Sequence, residues 1–175
     1  AVSGTLTFLQ SDTTKTISVP TADDSTYEGN ETVLVNLSNP TNGATISISQ
    51  ATGTIIENDA APSFSIGNAS ATAGGALSFA VTKSGTTALS HAVNYATANG
   101  TASAGTHYTS ASGTLTFTSG QTSQNVTVNT TSGSVPIGSG SKTMVVNLSS
   151  PTNGATVATS QGTGTINAPA NSPPV

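Results

Sequence analysis

The sequence predicts an all-β protein made of antiparallel β-sandwich modules, one complete and one partial. Three observations lead there. Apolar residues fall in short alternating or continuous runs of strand length, separated by Gly, Asn, Asp and Pro. No stretch carries the 3.6-residue period of an amphipathic helix. Residues 36–55 recur, with few changes, as residues 147–166. This offset of 111 residues is the size of a domain rather than of a solenoid unit.

Taken in order, strands are expected at 5–8, 16–19, 33–37 and 53–56, then at 63–66, 77–82, 92–97, 114–117, 125–129, 143–148 and 164–166. Seven strands in roughly 110 residues, with turn residues between them, is the pattern of a sandwich. Pro-Thr-Asn-Gly at 40–43 and again at 151–154 marks a tight turn, because Asn and Gly tolerate positive φ.

The repeat divides the chain. Ser3-Gly-Thr-Leu-Thr-Phe8 recurs as Ser112-Gly-Thr-Leu-Thr-Phe117 at an offset of 109, so the later copy carries two extra residues between the two repeated blocks. Residues 60–168 therefore read as a complete module and residues 1–59 as the C-terminal half of one. Residues 169–175 read as a linker and the start of a next module, since Pro173-Pro-Val175 falls one period after Pro62-Ser-Phe64. The expectation is an excerpt of a longer tandem array. A half-sandwich leaves one sheet face and its strand edges in water. Leu6, Phe8, Val33 and Val35 should then be covered either by preceding modules of the same chain or by a neighbouring copy.

Composition excludes several functions. Only 6% of the 175 residues are charged, against about 25% in an ordinary domain, and Ser and Thr coat the surface instead. Three Lys, no Arg and seven acids, with pI near 4.6, cannot neutralise a phosphate backbone, so no nucleic-acid partner is expected. No apolar run approaches the roughly 18 residues of a spanning helix, so no membrane insertion is expected. Any secretion signal lies outside these residues or has been removed, and the absence of Cys does not fix the compartment. The few charges are segregated. All seven acids and Lys15 lie in residues 1–59, giving −6, while Lys83 and Lys142 give the remainder +2.

Ser-Gly-Thr-Leu-Thr-Phe, Lys15-Thr-Ile-Ser-Val-Pro20, Asp23-Asp24, Glu28-Gly-Asn-Glu31, Asn36-Leu-Ser-Asn-Pro40 and Gly53-Thr-Ile-Ile-Glu-Asn-Asp59 together resemble the second half of a Calx-β domain. Residues 62–167 resemble a whole one more loosely, with Ala98-Asn-Gly-Thr-Ala and His107-Tyr108 near family positions. The resemblance implies an immunoglobulin-like sandwich. Such domains occur in sodium/calcium exchangers and in large bacterial surface proteins, and often bind Ca²⁺ at one end; the composition and period here resemble the bacterial group. It also implies Ca²⁺ ligands at Asp23, Asp24, Glu28, Glu31, Glu57 and Asp59.

Chemistry agrees with that implication, since Ca²⁺ takes six to eight oxygens at about 2.3–2.6 Å from carboxylates and carbonyls. Acids gathered at one pole also repel one another until a cation neutralises them. An acidic loop that is merely solvated remains the alternative. In the second module Thr130, Thr131, Ser139 and Lys142 stand near the equivalents of the acids, and Asn167-Ala-Pro replaces Glu57-Asn-Asp, so that module is expected to be metal-free. His91 and His107 have no Cys or acid in their module to orient them, so no catalytic residues and no enzyme activity are expected. His107 should sit at a strand end. Lys83 and Lys142 lack an acid to assist an intramolecular amide crosslink. Two functional expectations result. The first is an extracellular, cell-surface fibre, stalk or adhesin module that associates end to end or by strand exchange. The second is a Ca²⁺-dependent adhesion module with metal at the first module's acidic pole.

Overall fold

The computed structural model describes residues 2–171, so Pro173-Pro-Val175 lies outside the described residues. Those residues hold eleven strands and no helix. In chain order they are β1 (Glu31–Asn36), β2 (Gln50–Ile55), β3 (Ser63–Ile66), β4 (Ala69–Thr72), β5 (Ala76–Ser84) and β6 (His91–Asn99), followed by β7 (Ser112–Phe117), β8 (Ser123–Asn129), β9 (Lys142–Ser149), β10 (Thr156–Thr159) and β11 (Gln161–Asn167). No helix is long and apolar enough to cross a membrane among the described residues.

From β3 onward the strands form a sandwich of two sheets, ordered β10-β3-β5-β8 and β4-β11-β9-β6-β7. The seven strands expected in this part are all present. Two more, β4 and β10, join the sheet edges in parallel, β4 beside β11 and β10 beside β3. The sandwich is thus antiparallel except at those two edges.

Alternation drives the packing. β5 reads Ala-Leu-Ser-Phe-Ala-Val-Thr-Lys-Ser and buries every second residue, including Leu77, Phe79 and Val81. These meet Met144 and Val146 of β9 and Ile166 of β11 in one core, with the Phe64 and Phe117 rings tilted at 54° to each other and their centroids 5.1 Å apart. Gly164 on β11 is required by this closeness: a Cβ there would lie 2.7 Å from Phe79 Cζ, 2.8 Å from Met144 Sδ and 2.9 Å from Leu77 Cδ1.

Residues 2–59 use the same local code without the same cover. β1 and β2 pair in the register of β9 and β11 shifted by the repeat: Val33 faces Gly53 as Met144 faces Gly164, and Asn36 faces Gln50 as Asn147 faces Gln161. Even the cross-strand amide bond is reproduced, 2.8 Å from Gln50 Nε2 to Asn36 Oδ1 and 2.8 Å from Gln161 Nε2 to Asn147 Oδ1. The connecting turns match too, with Asn42 and Gly43 at φ 55° and 73°, and Asn153 and Gly154 at 51° and 76°.

The strands expected at 5–8 and 16–19 do not form. Their counterparts β7 and β8 pair with β6 and β5, and the described residues hold no further copy of either for this half. The apolar side chains pay the consequence. Phe8 is 54% exposed where Phe117 is 0%, and Leu37 is 42% exposed where Leu148 is 5%. Leaving one such side chain in water forgoes about 1.5–3 kcal/mol.

The two glycines offer a direct comparison. Gly164→Ala should destabilise the sandwich by about 1–3 kcal/mol in denaturant unfolding, because its Cβ collides with three core side chains. Gly53→Ala, whose Cβ meets only Val33 at 3.1 Å, should leave that transition unchanged.

Candidate functional site

The six acids singled out by sequence lie on three short segments. Asp23 and Asp24 stand in the loop ahead of β1, Glu28 and Glu31 lead into β1, and Glu57 and Asp59 follow β2. Pairing of β1 with β2 sets Glu31 opposite Ile55, which returns the chain to the same end of the hairpin. As a result all six acids line one recess, together with Thr21, Thr26 and Asn58. The seventh acid, Asp12, stands apart in an ion pair with Lys15 at 2.7 Å.

Within the recess the carboxylates differ. Glu57 is a staple: its Oε2 accepts from the backbone N–H groups of Glu28 and Gly29, the latter at 2.7 Å, and its Oε1 accepts from Asp59 N at 2.8 Å. Glu57 N in turn donates to Asn30 Oδ1 at 2.9 Å. The backbone donors, that of Asp59 foremost, hold the Glu57 carboxyl below its usual range. Glu28 is pushed the other way, chiefly by Glu31 and then by its own desolvation and by Asp24, Glu57 and Asp59. Asp59 is raised by desolvation and by Glu57, Asp23 and Asp24. Asn58 Nδ2 reaches Asp23 Oδ1 at 3.1 Å, and Asp24 Oδ1 accepts from Thr26 N at 2.7 Å.

Carboxylate oxygens are the donor type that a hard divalent cation takes. Asp23, Asp24, Glu28, Glu31 and Asp59 are the residues that would hold it, with Glu57 committed to the backbone. Among the described residues no three carboxylates or imidazoles converge into a ready metal-binding group.

Beside this recess lies a contact that sequence reading missed. Tyr27, flanked by the acids, docks on the sandwich. Its N–H donates to Thr86 O at 3.2 Å, and its carbonyl accepts from Ala88 N at 3.1 Å and from Thr87 Oγ1 at 2.9 Å. Thr86 Oγ1 donates to Ser25 O at 2.7 Å. The Tyr27 ring lies 6.1 Å from that of His91, and its hydroxyl occupies the space a Cβ on Gly154 would need.

His91 is fully buried beneath this knob, with Nε2 at 2.9 Å from Thr87 Oγ1 and Nδ1 at 3.2 Å from Thr152 O. It is a building block of the notch that receives Tyr27. The one available clue was an aromatic residue set among acids, where the second module has the neutral stretch Pro136-Ile-Gly138.

The other sequence candidates are structural. His107 sits in the turn between β6 and β7, not at a strand end, and its Nδ1 accepts from Ser103 N at 3.1 Å. Lys83 is buried on β5 and donates to the carbonyls of Thr118 and Ser119, each at 2.9 Å, and burial lowers its pKa. Thr130, near the equivalent of an acid of the first pole, accepts from Gly74 N at 2.9 Å and donates to Gly75 O at 2.7 Å.

Two outcomes check this geometry. A carboxyl-resolved NMR titration should place Glu57 below, and Glu28 and Asp59 above, their ordinary values. Glu57 therefore adds stability that is present above the ordinary glutamate range and lost as pH falls through its lowered value. Repulsion at Glu28 and Asp59 is relieved as pH falls through their raised values. Thr87→Val should cost about 1–3 kcal/mol in denaturant unfolding, since it strips partners from the Tyr27 carbonyl and His91, whereas Thr87→Ser keeps the hydroxyl and the stability.

Among solved structures, the chain is similar to the apo form of the Calx CBD1 domain, at 22% identity and a TM-score of 0.58 over 63% of this chain and 100% of that one. It is similar to CBD12 from CALX1.2, at 24% identity and a TM-score of 0.56 over 61% of this chain and 45% of that one. The calcium binding domain CBD12 of CALX1.1 follows at 23% identity and a TM-score of 0.54, over 59% and 44%. These likenesses establish the immunoglobulin-like sandwich. No curated protein matches the chain. The Calx-beta domain profile matches residues 1–59 and 45–169, and the chain therefore belongs to the Calx-β domain family.

Proposed function

We propose that the chain is a structural and binding segment of a tandem Calx-β array at the cell surface, in which residues 1–59 are the second half of one module and residues 60–168 the next. Its work is mechanical: to join sandwiches end to end and to complete the half-module with β-strands from preceding modules or a neighbouring copy. The observation that carries this reading is the Tyr27 joint, where the loop of one module is seated by backbone hydrogen bonds on the following sandwich. The bare face of β1 and β2 supports it. Ile17, Val35, Leu37, Ile48 and Ala51 frame an apolar recess there that a second sheet would cover, and the outer edges of the two-stranded sheet are open to added strands.

The test is to supply the cover. Residues 62–111 placed directly before Ser3 restore the junction that Ala111 makes with Ser112. If the reading holds, residues 3–8 and 16–19 gain slow-exchanging amides and unfolding gains a second cooperative unit. Unchanged exchange in both segments would contradict it.

A second reading is favoured by the recess lined by six acids. Calcium at Asp23, Asp24, Glu28, Glu31 and Asp59 would offset the desolvation that chiefly raises Asp59 and the repulsion that chiefly raises Glu28, and would stiffen the joint through Tyr27, between Asp24 and Glu28. The name of the CALX1.1 domain supports it for that protein. In the completed form, Ca²⁺ at about 100 times its dissociation constant should raise melting by on the order of 10 °C relative to chelator. No shift would remove calcium from the function.

A further inference from the structure

The sandwich has two poles with different tasks. At one, Gly85 packs against Pro62, where the chain comes in, and the 86–91 loop with the Asn153-Gly154 turn forms the notch filled by Tyr27. At the other, Ala73 N donates to Asn167 O at 2.9 Å and Gly74 N donates to Thr130 Oγ1 at 2.9 Å. The last strand therefore ends beside the loop at 130–141 that follows β8.

That loop is the repeat image of the loop carrying Tyr27. Both lead into the strand that pairs with the last strand of their half, β1 in one case and β9 in the other. Flanking motifs recur at offsets of 109 and 111, which place Tyr27 on Pro136 and Gly138, so Ile137 is the apolar residue at the centre of the bracketed stretch. The loop buries Val135 completely in its own core, yet it leaves Ile137 58% exposed. An apolar tip thus stands beside the chain's exit, as Tyr27 stands beside the link at 57–61.

We infer that Ile137 is the knob of a second, in-line joint, whose partner is a further Calx-β module carrying a notch of the Thr87–His91 kind. The inference rests on the tandem reading above. A second copy of this chain is the wrong partner, because its notch is already filled by its own Tyr27. The joint would repeat the bonds of the first, with Ile137 N–H donating to the counterpart of Thr86 O and its carbonyl accepting from the counterparts of Ala88 N and Thr87 Oγ1. The neutral Ser and Gly residues around Ile137, in place of acids, make this joint independent of calcium.

The experiment extends the chain in phase by fusing residues 62–171 after residue 172, with the original residues isotope-labelled and the added copy unlabelled. Amide exchange at Tyr27 and Ile137 is then read in one spectrum, with and without the extension and in the presence of chelator. Extension should slow exchange at Ile137 by about ten-fold or more while leaving Tyr27 protected throughout, and Ile137→Asp in the extended chain should abolish the gain. An Ile137 amide unchanged by the extension, beside a protected Tyr27, overturns the second joint alone. A Tyr27 amide that exchanges freely in both forms overturns the tandem-joint reading and this inference with it.

Discussion

A β-strand exists only where another strand completes its ladder, and this requirement explains both halves of the chain. Ser-Gly-Thr-Leu-Thr-Phe is the same hexapeptide at residues 3–8 and at β7. Beside β6 it forms a strand and its Phe117 vanishes into the core; with no such neighbour it stays irregular and its Phe8 meets water. The pairing that survives in residues 2–59, β1 with β2, is the one whose two strands both lie in the second half of the repeat. Every pairing of the complete module that draws on β3, β4, β5 or β6 lacks its counterpart there. Intrinsic strand preference of Thr, Val and Ile is therefore subordinate to the supply of backbone partners.

The acidic pole follows from the surviving pair. Because β1 and β2 hold the register of β9 and β11, the segments that flank them return to one end, and six carboxylates meet around one recess. Glu57 ties those segments together through backbone amides, while Glu28 bears chiefly the repulsion of Glu31 and Asp59 chiefly desolvation. Tyr27 projects from the same loop and turns it into a contact with the sandwich. In the complete module, the corresponding loop is fastened without charge, through Thr130 and the buried Val135.

Much of this was legible in the sequence, and the gaps have physical causes. The seven strands with clear alternation, from β3 to β11, could be read because buried residues recur every second position, as in Leu77, Phe79 and Val81. β4 and β10 could not, since Ala-Ser-Ala-Thr and Thr-Val-Ala-Thr carry little apolar signal and owe their form to parallel neighbours. Residues 5–8 and 16–19 misled for the converse reason, having the pattern of strands and no ladder. That the acids share one end was legible from their spacing about the strands. The staple role of Glu57 was not, because it depends on backbone N–H groups 28 and 29 residues away. Nor was the His91 notch, which joins residues some 60 positions apart.

The dependence of strand on partner is tested most directly by residue-resolved hydrogen exchange on the intact chain, comparing each repeated segment with its own twin. The amides of 112–117 should be strongly protected while those of 3–8 exchange near random-coil rates, and the hairpin at 31–36 should fall between 142–147 and the free segment. Equal protection of the two hexapeptides would contradict it, for the strand would then owe its existence to its own sequence and not to its neighbour.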